Sequence, residues 1–199
     1  MRICILFANS GDDVLLKGWA VWITGLPGSG KSTIARALVR RLRENNVRVQ
    51  VLSVDMLRKV LTPRPTYSEE ERKIVYDVLA FVASLLTENS VNVLIDATGN
   101  RRSYRNRARR QIKRFMEAYV RCPLSICMMR EKGRRYTFGA PRGVYRKAET
   151  KASSTVPGVG VPYEMPLKPE VVVDAKLTPE ESAKRIWMKI QQKFEKQIL

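Results

Sequence analysis

Short apolar runs alternate with stretches of helical periodicity along most of the chain. The apolar runs predict five buried strands, at 20–24, 47–54, 91–95, 118–121 and 171–173. The periodic stretches predict helices at 30–45, 69–88, about 102–116, 123–130 and from 179 onwards. Strands that alternate with helices indicate an α/β fold, in which a parallel sheet carries helices on both faces.

Two of the predicted helices begin with a capping signature. Ser68 is followed three residues later by Glu71, which predicts a helix that begins at Glu69. Thr178 is followed by Pro179 at the first helical position and by Glu181 at the third. Both signatures place a helix start directly after a polar segment.

A phosphate-binding motif lies between the first strand and its helix. The segment GLPGSGKST matches the pattern G-x-x-x-x-G-K-[ST] in full and has the strand–loop–helix context that this motif requires. Its backbone N–H groups would form an anion nest, Lys31 would reach the β- and γ-phosphates, and the Ser32 hydroxyl would bind Mg²⁺. We therefore expect ATP and Mg²⁺ as cofactors. The expected binding residues are Gly25, Leu26, Pro27, Gly28, Ser29, Gly30, Lys31, Ser32 and Thr33.

The motif by itself does not separate motor NTPases, GTPases and small-molecule kinases. The chain is short, at 199 residues, and lacks the N-K-x-D motif by which GTPases select guanine nucleotides. The alternative to a phosphate-binding loop is a glycine-rich turn that matches the motif by chance. The complete motif between a strand and a helix argues against this alternative. We expect a compact kinase with the three-layer P-loop NTPase fold, about five parallel strands, helices on both faces and a lid.

Composition excludes some chemistry and leaves one question open. The chain contains no histidine, which excludes a histidine general base, a Ser-His-Asp triad and histidine-ligated zinc. Its net charge is +18, and residues 101–116 hold eight basic side chains and no acidic one. This charge suits either a polyanionic partner such as nucleic acid or an enzyme whose substrates are nucleotides.

The cysteines and the absence of a long apolar run indicate the compartment. Cys4, Cys122 and Cys127 are odd in number and follow no spacing pattern, so we expect reduced thiols in a cytoplasmic protein. No apolar run reaches the roughly 18 residues that a membrane span needs. We expect an N-terminal extension at 1–17 and a single kinase domain at 18–199, with the lid at about 131–161.

From 19 to 186 the chain resembles the adenylylsulfate (APS) kinases, which phosphorylate the 3′-hydroxyl of adenosine 5′-phosphosulfate in sulfate assimilation. The segment VWITGLPGSGKSTIARAL is shared with many P-loop kinases. The segment from 142 to 182 is more specific, because it contains RGVYRKAE, then VPYEMP, and then the strand and helix start PEVVVDAKLTPEES. The resemblance implies small-molecule substrates, and a homodimer, which is frequent in the family.

The resemblance also implies roles for individual residues. The family's D-G-D-N-[VI]-R run reads Ser53-Val-Asp-Met-Leu-Arg58 here, which makes Asp55 the residue that orients or deprotonates the incoming hydroxyl. Arg58, Arg72 and Arg102 would bind the anionic acceptor, since a guanidinium matches phosphate and sulfate oxygens. Arg130 would neutralise charge on the transferring phosphoryl group, with Arg134 and Arg135 as further candidates. The structural alternatives are a helix cap for Asp55 and surface charges for the arginines.

The chain departs from the family pattern at three places. The family's N-I-R-R is replaced by Val75-Tyr-Asp-Val78, a serine described as a phosphorylated intermediate falls on Gly99, and a lid phenylalanine falls near Val156. These departures leave the identity of the acceptor open. The role of the basic cluster at 101–114 is a separate open question.

The segment I-D-A-T-G-N is one reason for an alternative acceptor. It resembles polynucleotide-kinase-like P-loop kinases, with Asp96 at the Walker-B position as a magnesium residue beside Ser32. Asp96 could instead cap the next turn. The alternative function is phosphorylation of another hydroxyl, such as a polynucleotide or tRNA end, and a third class is a non-enzymatic nucleotide-binding module.

Overall fold

The computed structural model describes residues 17–134, 136–137, 139–150 and 155–195, without the side chains of 149 and 195. The strands are β1 (Ala20–Thr24), β2 (Gln50–Ser53), β3 (Val93–Asp96), β4 (Phe115–Arg121) and β5 (Val171–Asp174). The helices are α1 (Lys31–Glu44), α2 (Val54–Leu61), α3 (Glu69–Glu88), α4 (Arg102–Gln111), α5 (Leu124–Lys132), α6 (Val144–Glu149) and α7 (Pro179–Ile190), followed by a π-helical turn at Gln191–Glu195. The predicted N-terminal extension lies outside the described residues, apart from Lys17.

The five strands form one sheet in the order β2-β3-β1-β4-β5, and every neighbouring pair is parallel. In the register of β1 on β3, Ile23 lies beside Asp96. The carboxyl ends of β1 and β3 therefore meet at one edge, with the phosphate loop directly after β1. The predicted α/β fold with a parallel five-stranded sheet is confirmed.

Alternate residues of β1 face opposite sides of the sheet, as the two-residue repeat of a strand requires. Val21 and Ile23 belong to a core with α1 and α7 that includes Leu38 and Ile186. Ala20 and Trp22 belong to a second core, formed with α3 and α4. Helices thus cover both faces, and the sheet is the middle of three layers. Within the described residues, no helix combines the length and apolarity that a membrane span requires.

Several predicted boundaries were wrong, and two helices were not predicted. The predicted helix at 102–116 ends at Gln111, and β4 begins at Phe115, because Phe115 and Met116 are buried in opposite cores as strand residues. The predicted strand at 47–54 is only Gln50–Ser53, and α2 follows it without a loop. The short helices α2 and α6 were missed, since each is too short to show a helical repeat clearly.

Both capping signatures start a helix where they were predicted, but they are satisfied differently. Thr178 and Glu181 form the full reciprocal box at the start of α7. At the start of α3 the Ser68 hydroxyl accepts from the Glu71 N–H, at 3.2 Å. The Glu71 carboxylate instead accepts from the Thr66 N–H, at 2.6 Å, and from Arg58. Only one of the two hydrogen bonds of the predicted capping box is therefore present, and the Glu71 carboxylate binds Arg58 instead of the Ser68 N–H.

Much of the basic cluster at 101–114 is paired inside the protein. Arg105 is buried against Glu117, Arg107 pairs with Asp77 at 2.8 Å, and Arg109 donates to both oxygens of Glu170. Arg101 pairs with Glu69 at 3.1 Å. Arg114 donates to backbone carbonyls, those of Lys17 and Phe194. Most of these arginines thus pair with groups of the chain itself, although the side chains of Arg101 and Arg107 remain 36% and 43% exposed.

Glu170 is expected to contribute pH-dependent stability. Burial raises the pKa of Glu170, but hydrogen bonds from Arg109, Lys193 and the Glu117 N–H outweigh burial and hold the pKa at about 2. The lowered pKa means that the contribution is present above about pH 4.3, the ordinary value, and is lost as the pH falls towards 2. We expect Glu170→Gln to lower the free energy of unfolding at neutral pH by roughly 2 kcal/mol. Urea unfolding between pH 2 and 7 measures this.

Glu180→Gln is the matched control, because the pair of Glu180 with Arg40 is more than half exposed on both sides. Exposed pairs contribute little, so we expect no measurable change in unfolding. Equal unfolding midpoints for Glu170→Gln and the wild type at pH 7 would contradict the assignment to Glu170.

Candidate active site

A cleft of about 680 Å³ opens at the carboxyl edge of the sheet. One wall is the phosphate loop with the start of α1, and another is formed by residues at the ends of β2 and β3. The lid segment contributes residues from 134 to 157. The cleft thus lies where open parallel sheets bind ligands, and most of the predicted site residues line it.

The phosphate loop requires glycine at Gly28 and Gly30. Gly28 has φ +76°, and a Cβ atom there would lie 2.4 Å from the backbone oxygen of Cys127. Gly30 has φ +104° and directly precedes the first residue of α1. Such left-handed conformations are typical of loops whose amides converge on an anion, and this loop lies at the positive end of α1. The loop is therefore a preformed site for phosphate oxygens.

Lys31 is buried and held by the loop that precedes it. Its Nζ donates to the carbonyl oxygens of Gly25 and Leu26, both at 2.9 Å. Burial lowers the pKa of Lys31, and the carboxylates of Asp96 and Asp55 oppose that shift. A buried ammonium whose present partners are neutral carbonyls gains strongly from an anionic ligand.

Ser32, Asp55 and Asp96 all line the cleft. Burial raises the pKa of Asp55, and the charge of Asp96 raises it further, against the opposing charge of Lys31. Two neighbouring carboxylates and a hydroxyl are the hard oxygen donors that Mg²⁺ prefers. No group of three or more acidic, histidine or cysteine side chains suited to a metal occurs in the described part of the chain. The residues therefore fit an ion that keeps waters and phosphate oxygens as ligands.

Arg58 and Arg72 lie together on the acceptor side of the cleft, around Tyr67. Both guanidiniums are buried and lie over the Tyr67 ring, at 4.9 Å and 5.8 Å from its centroid. Arg58 pairs with Glu71, and Arg72 donates to the carbonyl oxygens of Tyr67 and Thr155. The two planar cations are thus fixed in orientation before any ligand binds.

Arg130 lies against the phosphate loop, as its predicted role requires. It donates to the Ser29 carbonyl at 3.4 Å and to the Ala175 carbonyl at 2.9 Å, and it lines the cleft. Arg134 also lines the cleft. Arg135 lies outside the described residues. Two candidate lid arginines therefore remain beside the site.

Arg102 is not among the residues that line the cleft. Its backbone N–H donates to the Glu164 carboxylate at 2.8 Å, and its guanidinium reaches the Met165 carbonyl at 3.4 Å. The structure therefore places this predicted acceptor residue at the start of α4, where it holds the segment before β5. The match of Arg102 to a family arginine in the sequence did not reveal this pairing.

The cleft is also lined by residues that were not predicted as site residues, among them Tyr67, Tyr76, Lys147 and Thr155. Tyr67 directly precedes the helix cap Ser68, and that position was the one available signal. Tyr76 lies within the stretch that departs from the family pattern, so no family motif indicated it. Only the packing of α3 against β3 brings Tyr76 to the cleft.

Part of the segment predicted to be a lid is attached to the phosphate loop. The Tyr145 hydroxyl donates to the Pro27 carbonyl at 2.8 Å. Glu131 accepts from the N–H groups of Gly143 and Val144, at 2.7 and 3.3 Å, and so caps the start of α6. These contacts couple the lid to the loop that would hold the triphosphate. The predicted lid at 131–161 includes 135, 138 and 151–154, which lie outside the described residues.

A parallel sheet with a phosphate loop after its first strand, carboxylates at the carboxyl ends of β2 and β3, and arginines beside the loop defines a P-loop kinase. The sequence profile of the family described as adenylylsulphate kinase matches residues 17–174. The chain therefore belongs to the adenylylsulfate kinase family.

Individual relatives agree with this assignment. The adenylyl-sulfate kinase of Rippkaea orientalis is 37% identical over 177 residues, which are 88% of this chain and 93% of that protein. The Mycobacterium tuberculosis APS kinase, solved in complex with AMPPNP and APS, superposes with a TM-score of 0.79 at 29% identity, covering 88% of this chain and 98% of that one. The hexameric APS kinase of Thiobacillus denitrificans has a TM-score of 0.61 at 26% identity, covering 89% of this chain and 29% of that one.

Proposed function

We propose that this chain transfers the γ-phosphoryl group of ATP to the 3′-hydroxyl of adenosine 5′-phosphosulfate, giving ADP and 3′-phosphoadenylylsulfate. The observation that carries the proposal is the single cleft in which a complete phosphate loop faces two buried arginines, Arg58 and Arg72. The first feature suits a nucleoside triphosphate and the second an anionic acceptor. The family assignment supports the same pair of substrates.

On the nucleotide side, the loop amides and Lys31 hold the triphosphate. Lys31 exchanges its two carbonyl partners for β- and γ-phosphate oxygens, which a cation prefers. Ser32 and Asp96 would hold Mg²⁺, which when bound neutralises charge on the β- and γ-phosphates. Arg130 lies beside the loop and would contact the phosphoryl group as its charge is redistributed during transfer.

On the acceptor side, Asp55 would accept a hydrogen bond from the incoming hydroxyl. Its carboxylate lines the cleft near both Lys31 and Arg58, between the two groups of anion-binding residues. Arg58 and Arg72 would bind the phosphosulfate group through their planar forks. Because phosphoryl transfer depends mainly on position and charge stabilisation, this arrangement does not require a strong base.

A polynucleotide or tRNA end as acceptor gains no specific support from the fold. The main sequence feature in favour of such an acceptor is the basic cluster at 101–114. In the structure, most of those arginines pair with acidic side chains or backbone carbonyls of the chain itself. The buried free thiols Cys122 and Cys127 fit the cytoplasmic location that we propose. Light scattering measures the assembly of this chain, for which the family resemblance implies a homodimer whereas the Thiobacillus denitrificans relative is hexameric.

The test is a coupled assay of ADP release with adenylylsulfate as the acceptor. We expect turnover that depends on adenylylsulfate and on Mg²⁺, and product identified by mass as 3′-phosphoadenylylsulfate. Parallel reactions contain a 5′-hydroxyl oligonucleotide as the acceptor. Transfer to the oligonucleotide alone would replace the proposal with the polynucleotide alternative, and absence of transfer to any acceptor would favour a nucleotide-binding module.

Arg72 and Arg102 are expected to behave differently on substitution with lysine. Arg72→Lys removes the planar fork from the cleft, so we expect the KM for adenylylsulfate to rise roughly ten- to a hundredfold, the usual range for charged hydrogen bonds. Arg102→Lys keeps the charge outside the cleft, and we expect the KM to stay unchanged. Initial-rate kinetics at saturating ATP measure both. A rise for Arg102→Lys alone would show that the acceptor binds at the start of α4.

A further inference from the structure

Tyr76 is a buried tyrosine in the wall of the cleft. It lies in α3, within the stretch Val75-Tyr-Asp-Val78 that replaces the family's N-I-R-R. The family pattern contains no tyrosine in this stretch. The Tyr76 ring contacts Tyr104 at a centroid distance of 4.5 Å and Trp22 at 6.0 Å. The ring is therefore held in place by two other aromatic side chains, and its hydroxyl has a defined position.

The Tyr76 hydroxyl has one partner and an unused proton. Its oxygen accepts a hydrogen bond from the Gly99 N–H, at 3.0 Å. Within the described residues the hydroxyl has no second hydrogen-bond partner. A phenol that accepts through its oxygen can still donate its own hydrogen, and a buried donor without an acceptor costs free energy. A ligand that supplies an acceptor atom would recover this free energy.

The position of Tyr76 associates it with the acceptor. The charged groups that act on its hydroxyl are Arg58, Arg72 and Asp55. These are the three residues that we assign to the acceptor. Burial raises the pKa of Tyr76, so the phenol stays neutral and keeps its proton at any working pH. A neutral donor beside two arginines suits an uncharged oxygen or nitrogen of the ligand, because the arginines already serve its anionic group.

We propose that the Tyr76 hydroxyl donates a hydrogen bond to the adenosine part of the acceptor, at a ribose oxygen or a ring nitrogen, while its oxygen fixes the loop at Gly99. Tyr76 is then a specificity-determining residue within a stretch where this chain departs from the family pattern. This inference rests on the proposed adenylylsulfate kinase activity.

The test compares Tyr76→Phe with Tyr104→Phe and the wild type. Phenylalanine keeps the ring contacts and removes only the hydroxyl, so we expect the KM for adenylylsulfate to rise roughly three- to tenfold. The KM for ATP is expected to stay within twofold of the wild type. In Tyr104→Phe both constants are expected to stay unchanged, because the Tyr104 hydroxyl donates to Glu69 and is not among the cleft-lining groups.

A second measurement separates contact with the acceptor from support of the loop. Calorimetric titration of adenylylsulfate into each protein, saturated with an unreactive ATP analogue, is expected to show weaker binding for Tyr76→Phe by the same factor. An unchanged KM and affinity for adenylylsulfate would overturn the inference, and so would an equal rise in the KM for ATP, since that would indicate a disturbed Gly99 loop. The two failures are distinguishable. A wild type that does not phosphorylate adenylylsulfate would contradict the proposed function, whereas an active wild type whose constants match those of Tyr76→Phe would contradict only the role of Tyr76.

Discussion

Replacing Lys31 with methionine is expected to lower kcat/KM for phosphoryl transfer by roughly 10²–10³-fold or more, the loss that follows removal of one preorganised donor to developing charge. The Lys31 ammonium is buried at the loop, and burial lowers its pKa because it disfavours the charged form. An anionic ligand at the loop would therefore stabilise the ammonium. Methionine fills the space of the aliphatic chain without the charge. Initial-rate kinetics with ATP and adenylylsulfate measure the effect.

Lys73→Met is the matched control for this experiment. Lys73 is exposed on α3 and pairs with Asp77 one turn away, so its removal is expected to leave the kinetic constants unchanged. Full activity of Lys31→Met would contradict the assignment of the triphosphate to this loop. Circular dichroism of both variants verifies that the fold is retained.

Replacing Asp55 with asparagine is expected to lower kcat by roughly 10²–10⁴-fold, the range for loss of a positioned proton acceptor. The KM for ATP is expected to change little, because the phosphate loop and Lys31 hold the triphosphate. Asp55 is the second residue of α2, after the cap residue Ser53, so the alternative in which Asp55 caps this helix is wrong. Unchanged kcat in Asp55→Asn would leave Asp55 only the role of stabilising the first turn of α2.

Asp77→Asn is the control for Asp55. Asp77 pairs with Lys73 and Arg107 outside the cleft, so the same chemical change there is expected to leave kcat unaffected. A similar fall in both variants would point to a general loss of stability. Single-turnover measurements with saturating substrates separate the chemical step from product release.

Local patterns predicted the parts of this protein whose geometry is set by a few neighbouring residues. The phosphate motif predicted the loop before α1, because its glycine conformations and its lysine are determined within nine residues. Thr178 and Glu181 likewise predicted the start of α7, since a capping box closes over four residues. The order of strands and helices was enough to predict a parallel sheet with two helical layers.

Pairings between distant segments were beyond the reach of these patterns. The sequence alone does not tell an arginine that faces a ligand from one that binds a carboxylate far along the chain. Arg72 lines the cleft, whereas Arg102 holds Glu164 and Arg109 holds Glu170. Because burial and partner choice depend on three-dimensional distance, the role of each charge was decided only when the helices packed on the sheet.

By itself, the sequence determined that a nucleotide triphosphate site follows the first strand and that the chain resembles sulfate-activating kinases. Only the tertiary structure decided what completes that site. It brought Tyr67 and Tyr76 to the wall beside Arg58 and tied most of the α4 arginines into internal pairs. The physical reason is that backbone conformation is a local property, whereas the contacts of a side chain depend on which distant segments the folded chain places around it.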